Sequence, residues 1–179
     1  MHPRTFLKNF ILDNCIVHTP VTLRSGRRAS WYADLRQFLA DNTAASLLEV
    51  ELARRIPPNT AEICAVPTEG LLFLRGILSQ LGTRNLCGTY TRSQVKPHGL
   101  QRPVEGAITR GPVVLLEGTI SEGTSSLDAA KIRQKAGTGQ VTDVVAILDR
   151  QLGGASLLAQ EDITLTTLFT TADLGLPLL

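Results

Sequence analysis

The sequence predicts an α/β fold, a central parallel sheet flanked by helices, and three observations predict it. Short unbroken apolar runs, "EICAV" at 62–66 and "VVLL" at 113–116, have the composition of strands buried on both faces. Helical stretches alternate with these runs, which gives the βαβα order of a parallel sheet. The run at 113–116 then leads into "EGTISEGTSS", a glycine-bearing, hydroxyl-rich turn that opens the next helix, and ligands of such sheets sit at the carboxyl ends of their strands.

Each element follows in order. A first helix is predicted over 4–13, and "VTLRSGRRASWYADLR" alternates around a Ser-Gly turn as a hairpin-like strand pair. A helix covers 43–55, with Leu48, Leu52 and Ile56 on one face, and Pro57-Pro58 stops it. "EICAV" is a strand, "PTEG" a turn, "LLFLRGILSQL" a mostly apolar helix and "NLCGTY" the next strand. Residues 91–111 form a basic excursion longer than a βα unit needs, which predicts a mobile lid hairpin. "PVVLLE" is the third strand, 124–136 a helix closed by Gly137, "VTDVVAILDR" the fourth strand and "ITLTTLFT" the last.

A length of 179 residues predicts one domain spanning 1–179, and 43% apolar with 19% charged residues is enough to build its core. A net charge of +2 with scattered basic residues argues against nucleic acid as a partner. Cys15, Cys64 and Cys87 are odd in number and lie in apolar runs, as buried reduced thiols do; no metal site is expected from them. No segment approaches the length of a membrane span, so the expectation is a soluble, cytoplasmic protein with no membrane partner.

The chemistry concentrates at the turn after the third strand. Backbone N–H groups at a helix N-terminus, the helix dipole and the hydroxyls of Ser121, Thr124 and Ser125 around Gly123 favour an anion without a lysine. The same hydroxyls suit helix capping, which uses the same N–H geometry. Glu117 and Glu122 flank the spot, Glu122 as a competitor for the anion. Arg150 ends a buried strand at its carboxyl edge, a functional position. Tyr32 is the candidate for stacking on a ligand and Trp31 for packing, while Arg27 and Arg28 read as surface or subunit contacts.

Four segments in this order resemble the type I phosphoribosyltransferases, and among them the orotate phosphoribosyltransferases, over nearly the whole chain. "TLRSGRRASWYADLR" is similar to that family's N-terminal strand pair, "TRSQVKPHG" to its catalytic loop, "VVLLEGTISEGTSS" to its signature for phosphoribosyl diphosphate, and "ILDRQLGG" to the segment whose arginine meets orotate. The resemblance implies the type I fold, with a small N-terminal hood over 1–40 and a lid over 91–111 that closes on the neighbouring subunit of a homodimer. It implies transfer of ribose 5-phosphate from phosphoribosyl diphosphate to a pyrimidine base, orotate giving orotidine 5′-monophosphate in de novo pyrimidine synthesis, with Mg2+ accompanying the donor. Lys96 and His98 would neutralise the departing diphosphate and Glu117 would hold the ribose hydroxyls. Arg24, Arg92, Ser121, Gly123, Thr124 and Ser125 would bind the donor, and Tyr32 and Arg150 the base.

Three positions depart from the family pattern. Gly118 stands where a second acid is usual, Glu69 where a lysine is usual, and Ser93 where the catalytic loop carries a second basic residue. With Glu122 these make the site more negative by about three unit charges, which opposes a polyanionic donor. The alternative reading is therefore a catalytically impaired homologue that binds a nucleotide or phosphate in a regulatory or structural role.

Overall fold

The computed structural model describes residues 2–23, 26–82, 84–92 and 102–178. Helix α1 (Pro3–Phe10) starts where proline occupies its first turn and the His2 side chain accepts from the Arg4 N–H, and it runs on as a π-helical turn, Ile11–Cys15. The predicted hairpin is present as β2 (Val21–Thr22) against β3 (Arg28–Ala29). An outer antiparallel pair, β1 (Ile16–Val17) with β4 (Tyr32–Ala33), encloses it. A 3-10 helix, Leu35–Ala40, leads to α2 (Asn42–Ala53), whose first free N–H groups at Thr43 and Ala44 both donate to the Asp41 carboxylate at 2.9 Å.

The sheet holds β5 (Glu62–Ala65), β6 (Cys87–Thr91), β7 (Val104–Gly106), β8 (Val113–Ile120), β9 (Val141–Asp149) and β10 (Thr164–Thr170) in the order β10-β9-β8-β5-β6-β7. All neighbours are parallel except β6 and β7. The antiparallel edge comes from the return leg of the basic excursion, which bonds back onto β6; Arg92 N–H donates to the Pro103 carbonyl at 2.9 Å. The rest of that excursion, 93–101, lies outside the described residues.

Strand alternation divides the core into two layers. Ile63, Val114, Leu116, Val145 and Ile147 face a cluster with Leu7 of α1, Leu48 and Leu52 of α2, and Phe73 and Ile77 of α3 (Glu69–Gln80). Cys64, Val113, Leu115, Val144 and Ala146 face Ala129 of α4 (Thr124–Lys135) and Leu158 of α5 (Gly154–Ala159). Helices on both faces are what an unbroken apolar strand requires. Helix α5 and the one-turn α6 (Thr171–Leu174) are too short to show a helical period, so the sequence pattern does not announce them.

A polar knot crosses the second layer. Arg133 of α4 and Glu62 of β5 are both fully buried and pair at 2.7 Å. Thr89 also donates to Glu62, and Thr109 donates to it from both its N–H, at 2.9 Å, and its hydroxyl, at 3.2 Å. The three cysteines are free; Cys15 and Cys64 are buried as expected, while Cys87 is half-buried. Burial, helped by nearby Asp34 and Glu69, pushes the Cys15 thiol up to about 12.

Candidate functional site

Chain order in the sheet reverses between β5 and β8: from β5 the chain moves outward to β6, and from β8 it moves the other way to β9. Such a switch point leaves a crevice at the carboxyl ends of the strands. Here it holds a cavity of about 620 Å³. Its walls are the turn after β5 with Thr68 and Glu69, the end of β8 and its loop from Glu117 to Ser126, Arg150 after β9, and Val21, Tyr32 and Arg36 from the N-terminal segment.

The loop after β8 is built around Gly123, whose φ of +79° suits glycine and whose lack of a side chain leaves α4 uncapped. The N-cap position itself therefore supplies no side-chain oxygen, and the first-turn N–H groups of a helix have no intrahelical partner. A second loop braces the first from behind. A Cβ at Gly123 would lie 3.1 Å from the Gly154 backbone, Gly154 N–H donates to the Ser121 carbonyl at 3.1 Å, and Arg150 N–H donates to the Ile120 carbonyl at 2.8 Å. Ser121, Gly123, Thr124 and Ser125 all line the cavity.

Three carboxylates enter the same walls. Glu117 is buried and accepts from the Ser126 hydroxyl at 2.8 Å, a partner the sequence pattern did not single out. Glu69 lies at the mouth of α3 with Thr119 donating to it at a long 3.4 Å; burial lifts its carboxyl above the ordinary glutamate value, and the Arg36 charge opposes that rise. Glu122 is not the unopposed competitor its position suggests, because Arg27 stands 3.3 Å from it. Arg27, read as a surface or subunit contact, thereby belongs to the rim of the site.

Two guanidinium groups supply positive charge. Arg150 is 2% exposed and lies 4.4 Å from the centre of the Trp31 ring and 5.8 Å from that of Tyr32. Its Nη2 donates to the Trp31 carbonyl at 3.3 Å, but Nε and Nη1 have no hydrogen-bond partner among the described residues. Trp31 itself is buried and donates to the Pro177 carbonyl at 3.1 Å, as a packing residue does. Tyr32 is half-buried on the cavity wall. Arg36 was not anticipated; "ADLR" carries its signal, since Asp34 caps the 3-10 helix, binds Arg36 and holds it beside the cavity.

Arg92 does not line this cavity. Its Nε binds Glu105 at 3.0 Å, its Nη2 binds the Tyr90 hydroxyl at 2.9 Å, and its guanidinium lies over the Tyr90 ring. Arg24, Lys96 and His98 lie outside the described residues. Among the described residues there is no group of three or more His, Cys, Asp or Glu side chains able to hold a metal ion, and no helix is long and apolar enough to cross a membrane.

No family model matches the chain. Among curated proteins it is similar to the orotate phosphoribosyltransferase of Mycobacterium avium (strain 104), with 32% identity over 162 residues that make up 90% of each chain. Among solved structures it is similar to Mycobacterium tuberculosis H37Rv orotate phosphoribosyltransferase in complex with 5-phospho-alpha-D-ribosyl 1-diphosphate. That match has a TM-score of 0.77 and 25% identity over 97% of this chain and 99% of the other. The orotate phosphoribosyltransferase of Aeropyrum pernix aligns with a TM-score of 0.77 at 25% identity, covering 94% and 96% of the two chains.

Proposed function

Because the chain belongs to the orotate phosphoribosyltransferase family, we propose that it transfers ribose 5-phosphate from phosphoribosyl diphosphate to orotate, giving orotidine 5′-monophosphate and diphosphate. Arg150 carries this reading. A buried guanidinium with two N–H-bearing atoms unpartnered among the described residues, stacked under two aromatic rings at a cavity edge, is prepared for a planar carboxylate.

The remaining residues divide the substrate between them. The helix start at Ser121, Gly123, Thr124 and Ser125 receives the 5-phosphate of the donor. Glu117, fixed by Ser126, accepts hydrogen bonds from the ribose hydroxyls and orients C1 towards the base. Tyr32 offers its ring to the flat face of orotate. In the transfer, the bond from C1 to the diphosphate oxygen breaks and the bond from C1 to the base nitrogen forms as that nitrogen gives up its proton, which leaves with the diphosphate; positive charge develops on the sugar ring and negative charge on the departing group. Glu117 and Glu69 favour the first of these electrostatically. Lys96, His98 and Arg24 are assigned to the second through the resemblance of their segments.

The carboxylates of Glu69 and Glu122 on the cavity wall are hard oxygen donors that would hold a magnesium ion arriving with the donor, and the ion would neutralise charge on the leaving group. Arg92, outside the cavity of its own protomer, is assigned with the lid to the cavity of a second copy, which makes the working form a homodimer, in the cytoplasm. The charge objection to catalysis loses weight, since Glu122 is paired with Arg27.

The test is turnover: the purified protein, given phosphoribosyl diphosphate, magnesium and orotate, should consume orotate and release diphosphate. No orotate consumption at saturating donor, with phosphate still bound, would overturn transfer in favour of a binding role.

A further inference from the structure

Residues 69 and 118 share one volume. An ideal Cβ built on Gly118 clashes with the Glu69 Oε2, and lies only 2.5 Å from the Glu69 Cβ and 2.8 Å from its Cδ. The Glu69 side chain therefore reaches from the start of α3 across to β8 and occupies the space a side chain at 118 would fill. A non-glycine residue at 118 and Glu69 in this position exclude each other.

The consequence concerns what the cavity selects. Ionised, Glu69 and Glu117 offer acceptors and no donor, and both lie in the wall that also carries the helix start and Arg150, whose Nε and Nη1 have no partner among the described residues. A cavity for a bare anion has no use for two carboxylates in its wall, one buried and one half-buried. One for a phosphorylated sugar does: its phosphate takes the N–H groups at 123–125, and its neighbouring hydroxyls need acceptors next to them on the strand. Resting on the reading of a ribose 5-phosphate donor, we propose that Glu69, placed in the volume vacated at Gly118, contacts the substrate and, with Glu117, selects a vicinal diol on the sugar.

Calorimetric titration with three probes tests this: ribose 5-phosphate, 2-deoxyribose 5-phosphate and inorganic phosphate. The wild type should prefer the ribose compound over the deoxy compound by about ten-fold, the value of one hydrogen bond to a charged acceptor. E69A should abolish that preference without weakening inorganic phosphate. G118A, whose Cβ would lie 2.5 Å from the Glu69 Cβ as well as against its carboxylate, should do the same by displacing Glu69. Thermal melts identify any variant that has failed to fold, and either single variant suffices for the result. Equal tightening of all three probes in E69A would overturn the proposal, making Glu69 a mere charge obstacle. So would a wild type with no preference for the diol, or a G118A variant that keeps it. Orotate turnover on the wild type separates the two readings: a diol preference lost in E69A without any orotate turnover supports the role of Glu69 and sinks the assignment of the base.

Discussion

The Arg27 guanidinium and the Glu122 carboxylate stand 3.3 Å apart, tying the N-terminal hairpin to the loop after β8. Both groups are partly exposed, so the pair adds little to stability. Its effect is on the site, where it masks a negative charge beside the place an anion must occupy. R27A should weaken inorganic phosphate binding by about five-fold, the effect of one unmasked like charge in a watery rim. E122Q should strengthen it slightly, and R27A/E122Q should return near the wild type. Titration with phosphate at low ionic strength checks the set, since salt would erase the differences.

Arg150 gives the sharpest test of the base site. R150M should raise the orotate dissociation constant by about a hundred-fold, because a charge-assisted, two-point contact is lost from a buried place. Phosphate affinity should stay within about two-fold, since the helix start that binds it is formed elsewhere. R150K should fail almost as badly, as a lysine lacks the planar fork that the Trp31 and Tyr32 rings support.

Glu69 makes stability depend on pH in a definite direction. Burial raises its carboxyl in the folded protein above the 4.5 typical of glutamate, so between that value and its folded value the native state holds more of the proton than the unfolded chain does. Stability must then fall as pH rises through that window, and the penalty is fully present above it. E69Q should be more stable than the wild type at about pH 8, and the gap should close as pH drops to about 4. Denaturation midpoints of the two proteins across that range decide it; a gap independent of pH would mean that the charge is not the cause.

The Arg133–Glu62 pair predicts an asymmetric response to truncation. R133A leaves Glu62 as an uncompensated charge in the core and should cost about 3–5 kcal/mol. R133M with E62Q, which removes both charges and keeps the threonine partners of residue 62, should recover much of that loss. Urea unfolding of the single and double variants measures the difference.

What the sequence disclosed, and what it did not, follows from the range of each signal. Buried strands at 62–66 and 113–116 and the helix stopped by Pro57 are local patterns of period and punctuation, and they form where expected. The glycine-bearing turn at 121–125 was equally legible as a strand-to-helix turn, and it lines the cavity. The pairs that refine the site are not contiguous. Arg27 with Glu122, Glu69 with Gly118 and Arg133 with Glu62 are each separated by dozens of residues and meet only after the sheet is wound. A count of formal charges along the chain treated Glu122 as unopposed, whereas the fold brings it a partner. Edge strand β7 was expected only as the return leg of a hairpin over 91–111, because its three residues acquire strand character from β6 and not from their own pattern.

The contact between Gly123 and Gly154 couples two recognition tasks in a single casting. One loop is assigned to the anion and the other begins just beyond the arginine assigned to the base, and their backbones touch where neither can grow a side chain. A substitution that reshapes the segment after Arg150 to admit a different base must therefore move the cradle as well. Lineages exploring new acceptors from this scaffold would show altered grip on the shared donor first, so that specificity for one half of the reaction and affinity for the other drift in step.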